Sequence, residues 1–344
     1  MSVSNRQLIG IMAETGSYGN SYFTGSAPAQ YFAASNISIK PQMTTIENED
    51  ITANFSGRKS LSFGKACDVT MDFRLTGRTG SVGGPAASEM YWSPFLYAAG
   101  FERTLVDTTV DYFEWNPVGS STVGTYPAVS SMTIVDYMIR DDDKSTAVKH
   151  VARGVRGNLT LNFAIDQVAK ASFTGRGLFY SEPTSNVSTP TLPAEYSGEL
   201  DPWICKGATF TIGGTSYCVE SLDVSTNWAV NDDNCMTSDG AVNEIFLSRG
   251  TGSRIGGSMT LKGGSNTLYT ILPSIEAGTE FSVVYSLSSS LNGEFEMQMP
   301  KMQFVQYSMS ENGSRFNYQM TYAANGEWDG ASEKGDNDLI IRLK

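Results

Sequence analysis

Lys65-Ala66-Cys67-Asp68-Val69-Thr70-Met71-Asp72-Phe73-Arg74-Leu75-Thr76 is apolar at every second position from Cys67 to Leu75, with Asp, Thr and Arg between. A period of two marks a strand with one face in a core and the other in water. Gly77 to Pro85 then breaks the chain. Ser88 is placed to cap a helix carrying Met90, Tyr91, Trp92, Phe95, Leu96 and Tyr97, and Gly100 stops it. A short apolar helix beside such a sheet covers the sheet's apolar face.

Working outward, the same order returns about 190 residues later, which is the mark of an internal repeat. Ser258 to Lys262 alternates, Gly263 and Gly264 break the strand, Asn266 opens a helix with Leu268, Tyr269, Ile271, Leu272 and Ile275, and Gly278 closes it. Upstream of the two organising strands lie Ile37 and Ile39 in one copy, Leu222 and Val224 in the other. Downstream, the first copy continues with Met132, Ile134 and Tyr137, then Val148 to Val151, then Leu159 to Ile165, then Ser172 to Phe179. The second continues with Val283 to Leu287, Phe295 to Met299, Met302 to Tyr307 and Phe316 to Tyr322. Glu102 to Ser130, with Trp115-Asn116-Pro117, has the composition of an ordered loop inserted after the first helix.

These elements predict a mainly β protein of two similar β-sandwich or barrel domains, each with a short flanking α-helix, plus extended N- and C-terminal arms. The expected bounds are 1–34 for an N-terminal arm rich in glycine and aromatics, 35–181 and 204–326 for the domains, 182–203 for a proline-rich linker, and 327–344 for a C-terminal arm. With 344 residues, 34 Gly and 16 Tyr but only 17% charged residues, the composition favours strands over helices. The net charge of −12 argues against an electrostatic grip on nucleic acid. No uninterrupted apolar run reaches the ~18 residues of a membrane helix, so no membrane anchor is expected.

A search for chemistry finds little. Cys67, Cys205, Cys218 and Cys235 lack the paired spacing of a zinc site and read as reduced structural cysteines. His150 has no second histidine to complete a metal site. Gly250-Thr251-Gly252-Ser253-Arg254 lacks the Lys-Ser/Thr ending of a phosphate loop, and Asp141-Asp142-Asp143 lacks calcium-ligand spacing. No catalytic residue, metal ligand or cofactor is expected.

Several stretches carry a resemblance when taken in order. They are Glu14-Thr15-Gly16-Ser17-Tyr18-Gly19, Asn36-Ile37-Ser38-Ile39-Lys40-Pro41, the Cys67 to Leu75 strand, and Pro94 to Phe101. Tyr126 to Ser131, Ala152 to Leu159 and Phe173 to Phe179 follow. The series resembles a long-tailed bacteriophage tail tube protein with a duplicated tube domain, nearly end to end in the first half and by element order in the second.

The resemblance implies a virion protein, assembled in the host cytoplasm into the tail. Six domains would close a ring, and rings would stack around a tape-measure protein and later conduct DNA without binding it specifically. Two domains per chain imply a trimer with pseudo-sixfold symmetry, with a true hexamer as the alternative, and a tail terminator and tail-tip initiator proteins as further partners. At ~4 strands per domain, ~4.8 Å spacing and ~40° tilt, a closed wall of ~24 strands is about 50 Å across, wide enough for a duplex. The candidate lumen-facing residues are Asp68, Asp72, Glu294 and Glu296, and the candidate inter-subunit arm residues are Tyr18, Tyr22, Phe23, Leu339, Ile340 and Ile341. Two other readings are a tube protein of a contractile injection or secretion machine, and a two-domain β-sandwich binding module using Trp115, Trp203 and Trp328 as stacking platforms.

Overall fold

The computed structural model describes residues 6–14, 18, 30–32, 34–46, 61–77, 90–106, 112–118, 130–139, 146–180, 187–188, 202–233, 244–248, 254–263, 268–289, 293–312, 315–326 and 337–343. The fold is mainly β. In order it runs β1 (Arg6–Ala13), β2 (Gln30–Phe32), β3 (Ala34–Ile46), β4 (Leu61–Arg74), α1 (Ser93–Ala98), β5 (Phe101–Val106), β6 (Tyr112–Pro117), β7 (Met132–Ile139), β8 (Thr146–Ala164), β9 (Lys170–Tyr180) and β10 (Val187–Ser188). It continues with β11 (Thr209–Ile212), β12 (Thr215–Ser216), β13 (Val219–Ser225), β14 (Ala229–Asp233), β15 (Glu244–Ser248), β16 (Gly256–Lys262), α2 (Leu268–Glu276), β17 (Glu280–Ser289), β18 (Gly293–Asn312), β19 (Arg315–Asn325) and β20 (Ile340–Leu343).

The strand pairing is written twice. The first half pairs β3–β4–β9–β8–β7–β1–β2 in antiparallel order. The second half pairs β13–β16–β19–β18–β17–β11–β12. Irregularities recur too. The β3–β4 ladder slips between Ala34/Phe73 and Asn36/Asp72, and the β13–β16 ladder between Val219/Leu261 and Ser221/Thr260. The β7–β8 ladder slips between Met132/Val155 and Ile134/Ala152, and the β17–β18 ladder between Phe281/Met302 and Val283/Met299. A bulge places one extra residue at a fixed point and is a designed feature of a fold. Two matched bulges therefore set the copies in register around them; the slips against β9 (Arg153/Arg156) and β19 (Phe304/Gln306) fall at different points, so β18 carries one residue more than β8 beyond them.

The copies differ in their connections. Between β11 and β12 lies the tight pair Gly213-Gly214, both at positive φ (56° and 78°), where glycine carries no steric cost. Between β1 and β2 the connection is longer, spanning residues 14–29.

The structure corrects several expectations. The first helix begins at Ser93 with Trp92 as its N-cap and no side-chain capping bond, so Met90 and Trp92 precede it while still packing in the core. Pro94, near its start, supplies the fixed φ that begins a helix. The expected loop after it holds the hairpin β5–β6. In β6, Phe113, Trp115 and Pro117 are buried while Tyr112, Glu114 and Asn116 are half-exposed, an alternation that the turn-like Asn116-Pro117 hides in the sequence. Part of the expected N-terminal arm is β1, whose Ile9 and Ile11 are core residues. The second helix runs from Leu268 as expected, and Gly278 follows it at a φ of 66°. Ser88, Asn266, the Asp141 to Asp143 turn, Gly250 to Ser253, Cys235 and Trp328 lie outside the described residues.

The core is aromatic. Phe73 stacks on Phe95 of α1 at 4.4 Å between ring centres, and Phe95 meets Phe173 at 5.3 Å. Phe163, at the far end of β8, sits among residues of the second half, 4.8 Å from Tyr285 and 5.6 Å from Phe295. Trp203 joins them, 5.4 Å from Phe295. Its backbone bonds Ala169 and Leu75, so the end of the proline-rich connector is built into the structure.

Candidate assembly interface

The feature with functional content is the way one half adds to the other. Along one edge, β8 pairs with β7 from Ala147 to Val155 and then with β13 from Thr160 to Ala164; its other edge carries β9. The first strand of the second half thus extends the sheet of the first half. The result is a strip of eight antiparallel strands, β3–β4–β9–β8–β13–β16–β19–β18.

Side chains fix this joint. Asn158 Nδ2 donates to the Trp228 carbonyl (2.9 Å), while Asn158 Oδ1 accepts from the Trp228 amide (2.5 Å) and from Thr226 Oγ1 (2.9 Å). Thr226 Oγ1 accepts from the Leu159 amide at 3.1 Å, and Trp228 Nε1 donates to the Ala99 carbonyl at 2.7 Å, tying β14 to the end of α1. Asn227 takes a φ of 51°, a left-handed conformation that asparagine tolerates. Beside the latch, Gly157 faces Gly175, and a Cβ on Gly157 would collide with the Thr174 carbonyl oxygen.

The hairpin β14–β15 lies on the first half. Arg156 donates to Glu244 (2.7 Å) and to the Ile245 carbonyl (2.6 Å), and Arg176 bridges Asp232 at 3.0 Å. Tyr18 is drawn into the same contact: its hydroxyl donates to the Gly154 carbonyl (2.7 Å) and accepts from the Ile245 amide (3.0 Å), under the Arg156 guanidinium. Burial raises the Tyr18 phenol well above its ordinary value, so it stays a donor. Glu14 anchors the approach to Tyr18, accepting from Ser131 Oγ (2.5 Å), Thr133 Oγ1 (2.6 Å) and the Gly154 amide (2.8 Å).

The strip has one apolar and one polar face. The polar face carries Asn36, Asp72, Ser172, Thr160, Ser225, Ser258, Gln319 and Ser308, mostly hydroxyls and amides, joined by bonds such as Asn36 Nδ2 to Asp72 (2.9 Å) and Ser172 Oγ to Asp72 (2.7 Å). Asp68 and Asp72 both stand on it. Glu294 and Glu296 do not join them, because they lie in the half of β18 that pairs with β17 and β20. There Glu296 and Glu114 grip Arg342 at 2.9 and 2.8 Å.

Arg342 belongs to β20, which sits between β18 and β6 with Leu339, Ile340 and Ile341 buried within this chain. In the first half β10 takes the matching place on β8, with only Val187 and Ser188. Tyr22 and Phe23 lie outside the described residues. Trp115 and Trp203 are buried and offer no stacking platform. His150 is half-buried opposite Asp136. The Asn158–Thr226–Trp228 latch was not singled out in the sequence, since nothing local marks which strand β8 will meet.

Chemically the described residues hold buried, protonated groups. Burial pushes the Cys67 thiol up to about 12 and raises the Cys205 thiol, which bonds Tyr285. Among the described residues no group of three His, Cys, Asp or Glu side chains could hold a metal ion. No protein-family model matches the chain, and no curated protein matches it in sequence.

Proposed function

We propose that the chain is a structural subunit that closes side by side into rings, and that the rings stack into the tube of a long phage tail, the conduit for DNA. The observation that carries this reading is the eight-stranded strip, which joins its two halves edge to edge and repeats one pairing order twice. A unit that adds to a copy of itself within one chain can add to a copy in the next, and closure removes the exposed strand edges that favour aggregation. Three chains then form one ring of about 24 strands and about 50 Å diameter, with two similar domains per chain giving pseudo-sixfold symmetry.

In this reading the polar face lines the channel. α1 and the aromatic core occupy the other face, and a wall of hydroxyls and amides with charges of both signs gives DNA no continuous basic surface to grip. Asp68 and Asp72 face the lumen. The tape-measure protein fills it before ejection, a tail terminator and tip proteins close its ends, and the role involves no catalytic step or cofactor. Mass photometry and negative-stain electron microscopy at rising concentration test this. Hollow rings or tubes with a species at three times the chain mass are expected; a monomer at every concentration, with and without tail-tip proteins, overturns it.

A further inference from the structure

The duplicated pairing leaves one joint unmade. In the first half, the edge of β8 past the end of β7 is taken by β13. In the second half, β17 ends opposite Gln303, and among the described residues the same edge of β18 from Phe304 to Asn312 has no strand partner. The counterpart of β13 is β3, which pairs only with β4 among the described residues.

Apart from Ile165 and Ile204, the exposed large apolar side chains of the described residues fall at two places. On the β18–β19 end, Val305 (66%), Tyr307 (38%), Met309 (62%) and Phe316 (58%) are open. The counterparts of Tyr307, Met309 and Phe316 are Leu159, Leu161 and Ala169, all buried, two of them on the stretch of β8 that leads into the internal joint. In the first half, the cross-strand pair Met138 (37%) and Val148 (39%) is open. Its counterpart, Leu287 and Phe295, is buried under Phe163 of the first half. Each patch is what the internal joint covers, seen without its cover.

We propose that the β18–β19 end of one chain docks on β3 and the Met138–Val148 face of a second copy of this chain, in the register of the internal joint. This rests on the ring reading and specifies its contact. The register follows from the matched bulges. Asp223 lies opposite Asn162 in the internal joint. Asp223 and Ser38 both lie two residues beyond the first pair after the corresponding slip, Ser221/Thr260 and Asn36/Asp72. Asn162 and Ser310 both lie at the end of the row that runs through Lys170 and Arg74 in one copy, Asn317 and Lys262 in the other. Ser38 of one chain therefore pairs with Ser310 of its neighbour, and Ile39 with Met309. Tyr307, Met309 and Glu311 then take the places on the neighbour that Leu159, Leu161 and Phe163 hold at the internal joint, with Glu311 nearest Val148.

The test uses full-length chains with Cys218, which is exposed, changed to Ser. Ser38→Cys and Ser310→Cys are placed in separate chains, mixed, assembled and oxidised. Residues directly opposite in an antiparallel pair lie ~4.5–5.5 Å apart at Cα, inside the ~4.4–6.8 Å range of a disulfide, whereas a step of two residues leaves it. The expected result is a cross-linked ladder at least ~10-fold stronger than for Ser38→Cys mixed with Ser308→Cys. Met309→Asp, at an exposed position, is expected to keep the melting curve of the unmodified chain and to abolish rings. Rings without the Ser38–Ser310 cross-link, or rings from Met309→Asp at the normal yield, overturn this contact and leave the ring reading standing. A chain that assembles under no condition overturns both.

Discussion

The far ends of β8 and β18 occupy the same place in the two halves, each running on beyond its neighbour. One is closed and the other open. At the end of β8, Leu159, Leu161 and Phe163 are buried and Asn158 latches Thr226 and Trp228. At the end of β18 the corresponding residues are Tyr307, Met309, Glu311 and Gln306, all exposed. The backbone geometry is shared, so the difference is what lies on it. It teaches that the closed end is the more apolar of the two: Glu311 stands where Phe163 stands. A contact within the chain forms during folding, whereas one between chains must wait for a partner, and a more polar surface is the tolerable form of an open edge.

Breaking the closed joint has the largest expected effect. Trp228→Ala removes a buried ring and its bond to the Ala99 carbonyl, and truncations of this kind cost about 3–5 kcal/mol. Urea unfolding followed by far-UV circular dichroism should show that loss; a change below ~1 kcal/mol would mean that the latch does not hold the halves together.

A paired substitution sharpens the comparison. Asn158→Ala strands the Trp228 amide and the Thr226 hydroxyl, an expected cost of about 2–3 kcal/mol. Gln306→Ala, at the corresponding exposed position, should stay within about 0.5 kcal/mol in the monomer. Equal costs at the two positions would sink the claim that only one of the ends is closed.

The next effect comes from β20, the strand that fills the slot on β18. Arg342 is held by Glu114, Glu296 and Gln298, linking the insertion β5–β6 to the second half. Arg342→Met leaves two partly buried carboxylates without their cation, at an expected cost of about 2 kcal/mol that shrinks in high salt as the carboxylates are screened. A loss of the same size at every salt concentration would assign the effect to packing of the side-chain stem.

Much of this architecture was legible in the sequence. The Cys67 to Leu75 alternation and its echo at Ser258 to Lys262 identified β4 and β16, because a half-buried strand must alternate. The apolar Leu339 to Leu343 run needs cover, and β20 finds it between β18 and β6 of its own chain rather than on a neighbour. Several strands escaped notice, among them β1, β5, β6, β11, β12, β14 and β15. β6 hides its Phe113 and Trp115 alternation beside Asn116-Pro117, and β1 is short and broken by Gly10. The interface was less readable still. Whether Met309 is open or Leu161 covered depends on which strand lies beside each, and partner choice is a long-range property that no local pattern encodes.

The smallest expected effect concerns the face that the neighbouring chain would cover. Asp136 stands where the second half has Tyr285, and His150 opposite it stands where the second half has Met297. The Asp136 carboxyl is raised from 3.8 to about 6, by burial first, with nearby His150 opposing the shift. The folded state then binds this proton more tightly than the unfolded chain. The stabilisation it gives is fully present below the unfolded value and is lost as pH rises through about 6. Between pH 5 and 7 the loss is about 1 kcal/mol. Asp136→Asn, neutral throughout, should flatten that part of the pH dependence of the urea midpoint, while an unchanged slope would place the titrating group elsewhere. Because the same carboxyl borders Val148 and the proposed contact, ring yield in the unmodified chain should also fall across this window. The internal joint, built on Tyr285 and Met297, supplies the control: the Asn158→Ala cost should be the same at both pH values.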